Sequence, residues 1–187
     1  VFRQVLKANE EVRGASHPYV GYDHVNLANL LLLKGEPDGA EKEFRTALKI
    51  YARTLPPDHQ YVASAQTGLA RSMIELGRLD DAATAATRAL TIWRASLPAD
   101  HPQIANVQAI AGQVLALRGE ASEAERVLAA SYNKLSAAYG VSDPRTRVVS
   151  QWLAALYRRT DRTDLGDRLT APQASATPVS ASATAQQ

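Results

Sequence analysis

Three histidines, His17, His59 and His101, stand 42 residues apart, and imidazole is the side chain that most often ligates transition metals. Each opens a segment beginning His-Pro or His-Gln, and Asp143-Pro144 continues the series one step further. A residue recurring at that interval marks a repeated unit, so the three are read as repeat punctuation and no metal is expected. His24 differs: at the same step it shares a column with Gln66, Gln108 and Ser150, all polar, which implies a wet or hydrogen-bonded helix edge. Asp80-Asp81 has the look of a carboxylate pair for acid–base work. Between two helices, however, the pair reads as an N-cap and a first-turn acid that stabilise the helix dipole. The phosphate-loop patterns, G-x-S-x-G, H-E-x-x-H and the kinase catalytic signatures are missing from the sequence. No catalytic residue and no cofactor are therefore expected in these 187 residues.

The elements that would carry surface chemistry follow from the repeat. Gly35, Gly77 and Gly119 keep the 42-residue step, as do Ala40, Ala82 and Ala124 and the pairs Leu27-Ala28, Leu69-Ala70, Ala111-Gly112 and Leu153-Ala154. FRQVLK at 2–7 matches FRTALK at 44–49 in the same register. Within one unit Leu27, Ala28 and Leu31, then Ala40, Phe44, Ala47 and Leu48, fall at three- and four-residue steps, giving two helices with one apolar stripe each. Helix A is expected over about 17–34 and helix B over about 37–54, with glycine closing helix A in the left-handed conformation. The Asp, Ser and Pro of PPDHQ, PADHP and SDP supply capping oxygens and a first-turn proline for the next helix A. The expected organisation is residues 1–16 as helix B of a truncated unit, repeats over 17–58, 59–100 and 101–142, a partial cap over 143–170, and a disordered tail over 171–187. The tail, APQASATPVSASATAQQ, holds no charge and little to bury. In the cap, Asp161 stands where glycine is expected and TDLGDRL offers a stub of helix B.

Composition agrees with an all-α chain rich in Ala and Leu. Lys plus Arg is 21 against 19 Asp plus Glu, too even a balance for a nucleic-acid surface. There is no Cys, so disulfides and sulfur-based zinc sites are excluded. No apolar run approaches the ~18 to 20 residues that span a bilayer, so direct membrane insertion is not expected.

The columns Leu-Ala, Gly, Ala and Phe resemble the tetratricopeptide signature, and the 42-residue period with L-P-x-D-H between units resembles its kinesin-light-chain-like variety. The segment from His17 to Arg78 is also similar to the carboxy-terminal repeat arrays of bacterial serine/threonine protein kinases. The resemblance implies a helical-hairpin solenoid wound as a right-handed superhelix, with helix A lining a concave groove. Carried over by register from Leu27-Ala28, the ligand-facing columns give Tyr22, Val25, Asn26, Asn29, Leu32 and Leu33 in the first full repeat. They give Ser64, Thr67, Gly68, Arg71, Ile74 and Glu75 in the second, and Asn106, Ala109, Ile110, Gln113, Ala116 and Leu117 in the third. The fourth contributes Val148, Gln151, Trp152, Ala155, Arg158 and Arg159. The groove set singled out is Tyr22, Asn26, Asn29, Leu33, Arg71, Glu75, Asn106, Ile110, Gln113, Gln151, Trp152 and Arg158. Amides there could bond the backbone of an extended peptide while Leu32, Ile110 and Trp152 hold its apolar side chains. The Lys, Asn and Arg of a terminal-carboxylate clamp are not at their columns, where Val25, Gly68 and Ile110 stand instead.

The expected function is a non-catalytic scaffold that binds a protein or peptide segment in the helix A groove. The rival reading is an oligomerisation or regulatory module of a serine/threonine protein kinase, with exposed repeat ends open to self-association. A cytoplasmic setting is expected, or an extracytoplasmic one if the parent chain crosses a membrane. Because 1–13 match helix B, the parent is also expected to continue upstream with the partner helix A, into which Phe2, Val5 and Leu6 would pack, and with a kinase domain beyond.

Overall fold

The computed structural model describes residues 2–170, leaving aside the side chains of Phe2, Arg3 and Val5; the tail over 171–187 and the packing of Phe2 and Val5 lie outside the described residues. Among the described residues there are nine helices and no strand. They are α1 (Phe2–Arg13), α2 (Pro18–Leu33), α3 (Pro37–Thr54), α4 (Gln60–Glu75), α5 (Leu79–Ser96), α6 (Pro102–Leu117), α7 (Ala121–Tyr139), α8 (Pro144–Arg159) and α9 (Thr163–Thr170).

The even-numbered helices are started by side chains. His17, His59 and His101 hold extended backbone, and their Nδ1 atoms accept the N–H of Tyr19, Tyr61 and Gln103 at 3.2, 3.0 and 3.2 Å. Asp143 does the same for Arg145 through Oδ1 at 2.9 Å. This corrects the expectation that the aspartates of PPDHQ and PADHP cap. Nδ1 of His hangs from Cγ as Oδ1 of Asp does, so a neutral imidazole reaches the same orphan N–H. The odd helices α3, α5 and α7 begin at Glu36, Arg78 and Glu120 without a side-chain cap. Neither Asp80 nor Asp81 is therefore an N-cap: both sit in the first turn of α5, Asp80 bonded to Arg118 and Asp81 to Arg78. Helix A ends at Gly35, Gly77 and Gly119, with φ of 73°, 72° and 87°, and Asp161 takes the same left-handed turn at φ 57° before α9.

Each even helix packs on the odd helix that follows it and on the one before it. Even helices also touch one another, α2 with α4, α4 with α6 and α6 with α8, whereas no odd helix touches another odd helix. The even set therefore lies on the inside of a curved stack and the odd set on the outside. Contacts stop at the neighbouring unit, as in a solenoid stabilised by repeat and nearest-neighbour terms. The core lies between the two sets as two clusters with Trp152 packed against both, and Phe44, Ala47, Tyr51, Ala82, Ala89, Leu128 and Leu135 are wholly buried.

The seam is closed by fitting sizes. Gly68 of α4 leaves the space that the Phe44 ring of α3 fills; a Cβ there would overlap the ring. The same 42-residue step puts Ala86 and Ile110, then Leu128 and Trp152, at the equivalent positions; Ala86 and Ile110 share one core cluster, and Trp152 packs against the cluster that holds Leu128. Ion pairs tie neighbouring units at the outer turns: Arg78 reaches Glu41 at 2.8 Å, Arg162 reaches Glu125 at 2.7 Å, and Arg118 pairs with Asp80.

Two outcomes check this account. His59→Ala is expected to lower unfolding free energy by about 1 kcal/mol while His59→Asp keeps the cap, both measured by urea denaturation. Gly68→Ala is expected to cost about 1 to 3 kcal/mol through overpacking, and Phe44→Leu in the same chain to recover part of the loss.

Candidate functional site

The inner face formed by α2, α4, α6 and α8 encloses a groove with a cavity of about 290 Å³. Its walls are Asn29 and Leu33 from α2, Ser64, Thr67, Gly68 and Arg71 from α4, Gln103 and Asn106 from α6, and Pro144, Arg145 and Val148 from α8, with Trp93 of α5 behind them. Curvature is what brings α2 and α8 to one cavity. Leu33 is 71% exposed, an apolar shelf at the α2 end.

Of the expected groove residues, Asn29, Leu33, Arg71 and Asn106 converge here. Ser64, Thr67, Gly68 and Val148, which share the expected columns, join them. Others sit elsewhere. Ile110 is 1% exposed and belongs to the core, so it cannot hold a ligand side chain. The column of Asn26, Gly68, Ile110 and Trp152 is turned toward the preceding odd helix, as Gly68 against Phe44 shows, and Trp152 packs against both core clusters. Val25, Ile74, Ala109 and Ala116 are buried as well. Asn26 and Gln113 are half-buried, while Glu75 and Gln151 are exposed. Arg158 spends its guanidinium on Asp167 at 3.0 Å.

Tyr22 lies at the α2 end, 46% exposed, with its ring 5.8 Å from Tyr61, which in turn lies 5.8 Å from the buried Tyr51. Burial pushes the Tyr51 phenol well above its ordinary range, and its hydroxyl has no partner among the described residues. His24 is held between Glu43, at 2.6 Å, and Glu10, at 3.9 Å, joining α1, α2 and α3. Among the described residues no three His, Asp or Glu are grouped to hold a metal ion.

Sequence reasoning passed over Gln103 and Arg145. They occupy the column of Tyr19 and Tyr61, one turn before the columns carried over, and the shared 42-residue register was the signal that could have found them. Arg145 is locked in place: Nε and Nη2 donate to Asp143 at 2.9 Å each, and the guanidinium lies 3.6 Å from the Tyr139 ring centre. That bond holds the Asp143 carboxyl below its usual range. Arg71 is different. It is half-buried, has no hydrogen-bond or ion-pair partner among the described residues, and burial lowers its pKa, an effect partly offset by the charge of Glu75.

The family model of the tetratricopeptide repeat matches residues 22–95 and again 61–137. The chain belongs to the tetratricopeptide repeat family. Tetratricopeptide arrays with the same fold include a kinesin-light-chain-type protein of Podosopora anserina with nearly identical repeats. It aligns over 90% of this chain and 79% of its own, at 20% identity and a TM-score of 0.62. BtubC from P. vanneervenii aligns over 90% of this chain and 67% of its own, also at 20% identity, with a TM-score of 0.66. No curated protein matches the chain. Tetratricopeptide repeats are protein-interaction scaffolds, and no helix among the described residues is long and apolar enough to cross a membrane.

A folded-state carboxyl held below its usual pKa adds stability above the ordinary carboxylate range and loses it as pH falls through the folded value. Asp143→Asn, which keeps an oxygen for the cap, should therefore be less stable than the native chain near neutral pH. The gap should close as the pH drops below about 4, followed by thermal denaturation across that range.

Proposed function

We propose that the chain is a non-catalytic scaffold whose tetratricopeptide groove binds an extended segment of a partner protein. The observation that carries this reading is the set of amides on the groove wall. Asn29 of α2 and Gln103 and Asn106 of α6 line one cavity, with α4 between them, and no described residue takes up their side-chain hydrogen bonds. An amide offers both donor and acceptor, which suits the alternating N–H and C=O of an extended backbone. Leu33 supplies apolar contact beside them. Association with a serine/threonine kinase rests on the sequence resemblance alone, and a cytoplasmic setting is likewise a proposal.

Asn29→Ala with Asn106→Ala is the deciding variant. Each lost hydrogen bond is worth about 0.5 to 1.5 kcal/mol, so affinity for peptides selected on the native chain should fall about ten-fold or more. Fluorescence anisotropy measures this, with Arg88→Ala on the outer face as a control that leaves binding unchanged. Undiminished binding by the double variant removes the groove from the mechanism. A change in sedimentation without a change in peptide binding favours the oligomerisation reading.

A further inference from the structure

Several arginines of this chain have their charge answered locally. Arg78 is met by Asp81 and Glu41, Arg118 by Asp80, Arg126 by Glu123, Arg145 by Asp143, Arg158 by Asp167 and Arg162 by Glu125. Arg53, Arg88, Arg94 and Arg147 are exposed, and water serves them. Arg71 has neither solution. Its guanidinium is half withdrawn from water on the groove wall, and the carboxylate nearest in register, Glu75, lies outside ion-pair reach. Thr67, one turn earlier, donates its hydroxyl to the backbone of Ala63 at 2.7 Å and does not donate to a ligand. A partly desolvated, unpaired guanidinium costs folding free energy.

Its surroundings define what would repay that cost. Asn29 lies on the helix before and Asn106 on the helix after, so a chain bonded to both amides runs past Arg71 at an interior residue. The second arginine of the groove is already paired with Asp143, which leaves one charge to answer. A single fork-shaped donor matches one planar carboxylate, whereas a phosphate backbone calls for several free cations. Residues 171–187 contain no Asp or Glu, so that segment cannot supply the side chain itself. We propose that Arg71 receives the carboxylate of an Asp or Glu within the extended partner segment held by the groove. This rests on the groove reading above and makes the partner an acidic peptide.

The probe is an array of decapeptides with amidated ends, so that the only carboxylates are side chains, titrated against the full chain. Sequences retained by the native protein should share an Asp or Glu at one position. Replacing that residue by Asn or Gln should weaken binding about ten-fold or more, as expected for a charge-assisted hydrogen bond. Arg71→Gln should bind the acidic and amide peptides alike, within about two-fold. Because the lost charge had no partner, Arg71→Gln should also unfold at a temperature equal to or above that of the native chain, measured by circular dichroism. A purely structural arginine would give the opposite shift.

The proposal is overturned by groove-dependent binding with no acidic preference, or by an acidic preference that survives Arg71→Gln. A clear fall in unfolding temperature for Arg71→Gln also overturns it. So does preference for peptides with a free terminal carboxylate over their amidated forms, or Arg71-dependent binding of single-stranded RNA in place of peptide. Peptide binding that ignores the Asn29 and Asn106 changes removes the groove reading and this one together, so the two failures are told apart.

Discussion

The approach of each even helix to the odd helix before it is the constraint on which the rest depends. Phe44 can be wholly buried because position 68 carries no side chain, and the backbone of α4 comes in over the ring. A short helix pair has no interior of its own; it becomes stable by stacking on the next. The distance and angle of that stacking are set by what fills the seam, glycine against phenylalanine at the first joint, with alanine and isoleucine, then leucine and tryptophan, at the equivalent positions of the next two. Interiors pack as densely as organic crystals, so these sizes cannot be exchanged freely. Because the even helices touch and the odd ones do not, each joint adds to one curvature, and the groove is the consequence of that sum.

Electrostatics divides the surface by purpose. At the outer turns, pairs such as Arg78 with Glu41 and Arg162 with Glu125 bridge neighbouring units. Exposed pairs of this sort contribute little stability each, about 0 to 1 kcal/mol, and act mainly to favour one register of stacking. Inside the curve the balance changes. Arg145 is neutralised by Asp143 and laid over Tyr139, while Arg71 is left unpaired among amides. On this wall Arg71 departs from the local rules of stability, and such places are where function is expected.

The histidine series shows how a residue type can mislead while its spacing does not. Imidazoles at a fixed interval invite a metal, yet each spends Nδ1 on the second backbone N–H of a helix, the task Asp143 performs in the fourth unit. The substitution of Asp for His at the same step carried the capping role in the sequence itself. The groove columns misled in the other direction. Asn26, Ile110 and Trp152 share a face with ligand-facing residues by register, but that edge turns into the joint between units, and burial of Ile110 follows.

Sequence alone was enough to determine the 42-residue unit, two helices in each, the glycine stops and the absence of catalytic motifs. All of these rest on interactions within a few residues, where the 3.6-residue period and cap chemistry act directly. What only the tertiary structure decided is which neighbour covers each helix face. That choice depends on side-chain volumes from a different unit, such as Phe44 acting on Gly68 across the joint. It also depends on curvature accumulated over four even helices, which brings Gln103 and Arg145 to the same cavity as Asn29 and Arg71. A residue's column states the direction of its side chain from its own helix axis; whether a groove or a neighbouring helix lies in that direction is a property of the stack.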